Sequence, residues 1–240
     1  MNVSVTRVRA IYRKELREYR RNGSIIGGMV VIALIFVIVP LIEFVAVPAS
    51  ESSALRQGDA LAYMLGIPAI VPALVAAYSV VGERQQGTLE PVLTTPVRRE
   101  ELLLGKALAA LVPSLAVAYV TYAFVLACVA LFAQPGVAAA LIRGPDILAQ
   151  LLFTPLLSVW TIWVAIAIST RASDARVAQQ LSILGGFPAI LVANLITINV
   201  IHATLGLALG LGAALLLFDG LGWWMVSAAF DRERLITGAR

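Results

Sequence analysis

SIIGGMVVIALIFVIVPLIEFVAV, Ser24 to Val47, runs for 24 residues with a single charge, Glu43. About 20 apolar residues in a helix cross the hydrocarbon core of a bilayer, so this stretch predicts a membrane span. The rest of the chain fits that solvent. Of its 240 residues 60% are hydrophobic and 13% charged, and the mean hydropathy is +0.90. A soluble domain carries about twice that share of charge, which excludes a soluble enzyme and a disordered chain. The single cysteine, Cys128, lies in an apolar run and excludes a cystine scaffold. Val47-Pro48-Ala49 faintly resembles a signal-peptide cleavage site. However, the basic leader exceeds twenty residues and the apolar run is too long for the hydrophobic part of a signal, so the span is read as retained.

Working outward, five more apolar runs appear at 60–81, 107–133, 147–169, 181–201 and 203–230. With 24–47 they predict an all-α polytopic membrane protein of six transmembrane helices. The glycine-rich last run (Gly206, Gly210, Gly212) leaves open five spans plus a re-entrant hairpin. Charge sets the orientation. Sixteen of the eighteen Lys and Arg fall in the N-terminal segment, the 82–106 connection, the stretch around Arg171 and Arg176, and the tail. Only Arg56 and Arg143 fall opposite. The positive-inside rule then places both termini in the cytoplasm.

Two polar segments have structure of their own. Residues 4–21 set Val5, Val8, Tyr12, Leu16 and Tyr19 at helical spacing among seven basic residues, predicting an amphipathic helix lying at the inner leaflet. The 82–106 connection, GERQQGTLEPVLTTPVRREELLLGK, is the longest polar stretch. Gly87 allows a turn, Leu89, Val92 and Leu93 give a short apolar face, and Thr95-Pro96 reads as a helix start. Glu100 and Glu101 follow where the helix dipole favours acids. A segment with two helix starts and an apolar face reads as a docking element.

The order Glu83, Gly87-Thr88, Glu90, Leu93, Thr95-Pro96 and Gly105-Lys106 resembles the cytoplasmic loop of type-2 ATP-binding-cassette (ABC) permeases. These are six-span transport subunits of prokaryotic cell membranes. Where many members carry a second acid just after the first, this chain has Gln85 and Gln86. The resemblance implies an exporter whose ATP and Mg are handled by a separate cytoplasmic subunit. It implies a coupling helix in 82–106, with Glu83, Arg84, Gly87, Thr88, Glu90, Thr95 and Pro96 at the contact with that ATPase. It also implies a second permease copy, identical or not. The chain has no phosphate loop of its own: Glu100 stands where a glycine is required before Gly105-Lys106, and Ala107 replaces the Ser or Thr that would hold Mg.

Polar groups within spans are candidates for a substrate path, namely Glu43, Asp219, Asn194 and Asn199. Asn199 and His202, clustered with Asn194 and Thr197 at the outer end of span five, also suit a hairpin turn, and one histidine makes no metal site. Gly23 with Gly27, and Gly206 with Gly210, are small-xxx-small pairs that permit close helix packing. Pro68, Pro72 and Pro113 are candidate kinks. Trp160, Trp163, Trp223 and Trp224 read as packing or interface residues. An intramembrane protease is excluded, because there is no nucleophile-Ser motif or His-Glu-x-x-His, and the Arg that would complete a Glu-Glu-x-x-x-Arg motif from Glu100 is Gly105. A stand-alone secondary transporter or channel is the alternative, though neither inverted repeats nor a row of intramembrane charges is evident.

Overall fold

A computed structural model of the chain describes residues 4–46, 60–87, 97–198, 200–202 and 204–229. Among these the protein is all-α, and six helical segments are long and apolar enough to cross a bilayer. The chain opens with α1 (Val5–Arg21) and turns at Asn22 into α2 (Gly23–Ala46). The Asn22 side chain accepts hydrogen bonds from the backbone N–H of Ser24 and Ile25, the capping that allows one helix to follow another without a loop. A 3-10 segment (Ala60–Leu65) leads into α3 (Gly66–Gln85). Then come α4 (Arg99–Phe132), the short α5 (Pro135–Leu141) and α6 (Gly144–Arg171). The fifth span is two helices, α7 (Ala175–Ile183) and α8 (Phe187–Thr197), joined by a 3-10 turn, and α9 (Leu205–Ala229) ends the described chain.

Two expected span starts move. Span three was expected from 107, but α4 begins at Arg99. Its 34 residues reach about 51 Å, well beyond a core of about 30 Å, so the first turns project past the bilayer on the loop side. Arg98 holds the N-cap position in place of Thr95, and Glu101 Oε2 accepts its backbone N–H at 3.1 Å. Span five begins near 175 rather than 181, because Asp174 caps α7 by accepting from Arg176 and Val177 N–H. The last run is one continuous helix, so the re-entrant alternative falls away.

α3 is the hub. Ile67, Ala69, Val71, Ala73, Val75 and Ala77 are fully buried, and α2, α4, α6, α7 and α8 surround it. Small side chains let the neighbours approach closely, as membrane packing requires. A β-carbon at Gly186 would lie 2.3 Å from the Ala69 carbonyl oxygen, so the break in span five can touch α3 only as glycine. Trp160 Nε1 of α6 donates to the Gly185 carbonyl in that break at 3.0 Å.

The prolines do not break the spans. Pro68 sits in the first turn of α3, and Pro72 and Pro113 lie inside continuous helices. Each interior proline lacks an N–H and leaves a carbonyl four residues back unserved. A neighbouring hydroxyl meets one of these: Tyr119 donates to the Leu151 carbonyl freed by Pro155 at 3.0 Å, whereas Thr161 Oγ1, 3.4 Å from the Pro68 carbonyl freed by Pro72, lies closer to the Leu157 and Ser158 carbonyls of its own helix.

Candidate functional site

The end of the bundle that carries the 82–106 connection concentrates the buried charge. α1 lies across the start of α4, where a β-carbon at Gly105 would come within 2.6 Å of Ile11 Cγ2. The apolar stripe of α1 that was expected to lie in the inner leaflet is therefore largely taken up by protein, although Val5 stays exposed. The N-terminal end of the contact is polar. Glu101, fully buried, accepts the backbone N–H of Ser4 at 2.8 Å and pairs with Arg7 at 3.1 Å.

One and a half turns along α4 stands Lys106, with no solvent exposure. Its ammonium donates to Glu15 Oε1 at 2.8 Å and to the Ser79 carbonyl at 2.7 Å, and forms an ion pair with Glu83 Oε2 at 2.9 Å. Glu83 also accepts from Lys14, which pairs in turn with Glu15 at 3.5 Å and Glu18 at 3.3 Å. Partial burial disfavours the Lys14 charge, but the carboxylates of Glu15, Glu83 and Glu18 outweigh it and hold the ammonium above the ordinary lysine range. Tyr19, buried nearby, has its hydroxyl pushed well above the usual phenol range, by burial first and then by Glu15. It stays neutral. Three helices are thus tied by ions in a low-dielectric pocket, where such pairs hold only with complete coordination.

This network joins both flanks of the connection, since Glu83 closes α3 and Lys106 follows the first turns of α4. The family comparison is then informative. A family model described as ABC-2 family transporter protein matches residues 9–216. This chain belongs to that family. No individual curated protein matches the chain. An ABC-2 chain is a membrane subunit of a transporter and works in the family with an ATP-binding subunit.

The permease places the expected contact residues unevenly. Glu83 is 3% exposed and engaged by Lys106 and Lys14, so its carboxylate does not face solvent. Gly87 is exposed at the end of α3 with φ of +68°, a conformation that costs a residue with a β-carbon. The Arg84 side chain, Thr88, Glu90, Thr95 and Pro96 lie outside the described residues.

The substrate-path candidates are not brought together. Asp219 is half-buried on α9, with Oδ1 enclosed and without a hydrogen-bond partner among the described residues. Asn194 bonds back to the Ile190 carbonyl of its own helix at 2.8 Å. The Glu43 side chain and Asn199 lie outside the described residues, and His202 is exposed at the α8–α9 turn. Near them, α6, α8, α9 and the 3-10 segment enclose an apolar cavity of about 420 Å³, with Trp160, Phe153, Leu211 and Phe218 on its walls.

Reading the sequence alone missed Glu15. Its signal was present, because position 15 lies seven residues after Val8, three after Tyr12 and four before Tyr19, inside the apolar stripe. A carboxylate there had to be paired or capped.

Proposed function

We propose that this chain is the membrane subunit of an ATP-driven exporter in a prokaryotic cell membrane, powered by a separate cytoplasmic ABC subunit that docks on the 82–106 connection. Both termini lie in the cytoplasm in this reading, supported by the sixteen-to-two division of basic residues. The observation that carries the mechanism is Lys106, buried between Glu15 and Glu83. Both ends of the docking connection are fastened to each other and to α1. A push on the connection would therefore move α1, α3 and α4 as one body instead of being absorbed by a hinge. Arg84, Gly87, Thr88 and Glu90 are the proposed contact and turn residues, with Thr95 and Pro96 completing the element. Glu83 acts from behind as the anchor.

The substrate path would run between two permease copies, a homodimer or a heterodimer. α2 and α9 support this, since both present apolar side chains outward, such as Val31, Leu34, Leu209 and Leu217. Asp219, Glu43, Asn194 and Asn199 are the polar residues proposed to line the path.

The experiment is co-purification through a C-terminal tag from native membranes in mild detergent, repeated with Gly87→Val. The expected result is a stoichiometric ATP-binding subunit with the native chain. The variant should keep its spans folded but lose ATP-dependent transport. A chain that purifies alone and still moves a solute would overturn the reading in favour of a stand-alone transporter.

A further inference from the structure

A second large cavity, of about 440 Å³, opens at the loop end between α1, α2 and α4. Its walls are apolar: Leu16, Ile26 and Met29 on one side, Val117 and Val120 on the other. Among the described residues its only charged lining group is Arg20, near the end of α1. Along α2 the lining runs from Ile25 to Ala33, about 12 Å of helix at 1.5 Å per residue. The cavity is a cationic mouth over an apolar shaft parallel to the spans.

Arg20 does not stand alone. At 100° per residue, Arg9, Arg13, Arg17 and Arg20 fall within a sector of about 80° on α1, and all four are exposed. Among the described residues none of the four is ion-paired. The carboxylates of the same helix, Glu15 and Glu18, face Lys106 and Lys14 instead. The helix has sorted its charges. Its acids neutralise the buried network and Arg7 pairs with Glu101, while the Arg9–Arg20 sector meets no carboxylate among the described residues.

We propose that this cavity is a binding site for one anionic phospholipid of the leaflet at the loop end, with its phosphate beside Arg20 and an acyl chain between α2 and α4. Charge complementarity selects the head group: a basic residue at the mouth of a pocket between spans recognises an anionic head. The apolar shaft selects a chain-bearing ligand over a free anion. The lipid would wedge α1 against α2 and α4 beside the ionic network. The assignment of that leaflet as the cytoplasmic one rests on the orientation proposed above.

The test uses the full chain, with whatever subunit co-purifies, in neutral phosphatidylcholine nanodiscs carrying a trace of phosphatidylglycerol with a photoactivatable acyl chain. Labelled peptides are mapped by mass spectrometry. Label is expected on 16–33 and 113–121, competed by unlabelled phosphatidylglycerol and not by the same excess of phosphatidylcholine. Arg20→Gln, an exposed change, should lower that label about five-fold. Ala116→Trp, which fills the cavity from an exposed wall position, should abolish it with all arginines present. Equal competition by the choline lipid, displacement by soluble glycerol phosphate, or label unchanged in both variants would each overturn the site. So would label that disappears when two copies associate, which would make the cavity part of a subunit interface. Both leaflets of a nanodisc carry the probe, so an inverted topology would leave the labelling intact and is separately detectable.

Discussion

The loop end of the bundle and the α8–α9 side solve the same problem in opposite ways. At the loop end Glu15, Glu83, Glu101 and Lys106 are 3% exposed or less, and their charges are met by partners within the chain. On the other side, α8 leans on the 3-10 segment and α3 while α9 leans on α6, and an apolar cavity of about 420 Å³ separates them. Ion pairs are directional and costly to break, so they fix one arrangement of α1, α3 and α4. Apolar faces in lipid gain little from touching one another, so α8 and α9 are free to stand apart. The difference assigns rigidity to the end that would receive force and tolerance to the side that meets the bilayer.

The comparison breaks most directly at Lys106. Lys106→Met would strand Glu15 and Glu83 in a buried pocket, and removing one partner of such a set costs about 3–5 kcal/mol. The expected result is a large fall in thermal stability in detergent, with α1 becoming protease-sensitive before the spans unfold. Adding Glu15→Gln and Glu83→Gln to that variant should recover much of the loss. If the single change is silent, the loop end is not held by ions. Gly105→Val comes next. The new side chain meets Ile11 without room to yield, an overpacking cost of about 1–3 kcal/mol. Trypsin should then cut at Arg9, Arg13 and Arg17 faster than in the native chain.

Much of this fold is legible in the sequence because lipid simplifies the code. Six apolar runs give six spanning segments, since only hydrogen-bond-saturated helices survive in hydrocarbon. What is not legible is pairing between distant segments. The basic count of the N-terminus treats Lys14 and Arg7 as topology signals, yet both are engaged by carboxylates. Glu83 reads as a surface contact because it opens a polar connection. Only Lys106, 23 residues later, makes it a buried anchor. The break in span five is equally hidden. Gly185-Gly186 lies unremarked inside the 181–201 apolar run, and only the approach of Ala69 and Trp160 gives it a role.

Within the spans the rule of internal satisfaction can be isolated. Tyr119→Phe removes the donor to the Leu151 carbonyl and should cost about 0.6–1 kcal/mol, as interhelical bonds in bilayers do. In a Pro155→Ala background the restored N–H of residue 155 serves that carbonyl, so the same substitution should cost almost nothing. A double-mutant cycle read by thermal unfolding gives the coupling directly. Equal costs in both backgrounds would show that the tyrosine is not compensating for the proline.

The smallest effect is expected on the α8–α9 side. Ala208 lines the cavity between α8 and α9. Ala208→Leu adds three carbons to the gap. In a dry cavity each buried methylene contributes about 0.8 kcal/mol, so the leucine should stabilise the chain by about 2 kcal/mol. If lipid or detergent tails already occupy the space, the leucine only replaces one hydrocarbon contact with another, and the change should stay below about 0.5 kcal/mol. We expect the second outcome, measured as a nearly unchanged midpoint of thermal unfolding. The cavity walls are apolar, and the exposed faces of α8 and α9 beside them are in contact with the same solvent. A gain near 2 kcal/mol would mean that the gap is sealed from lipid. It would then resemble the loop end, an interior the chain must fill for itself.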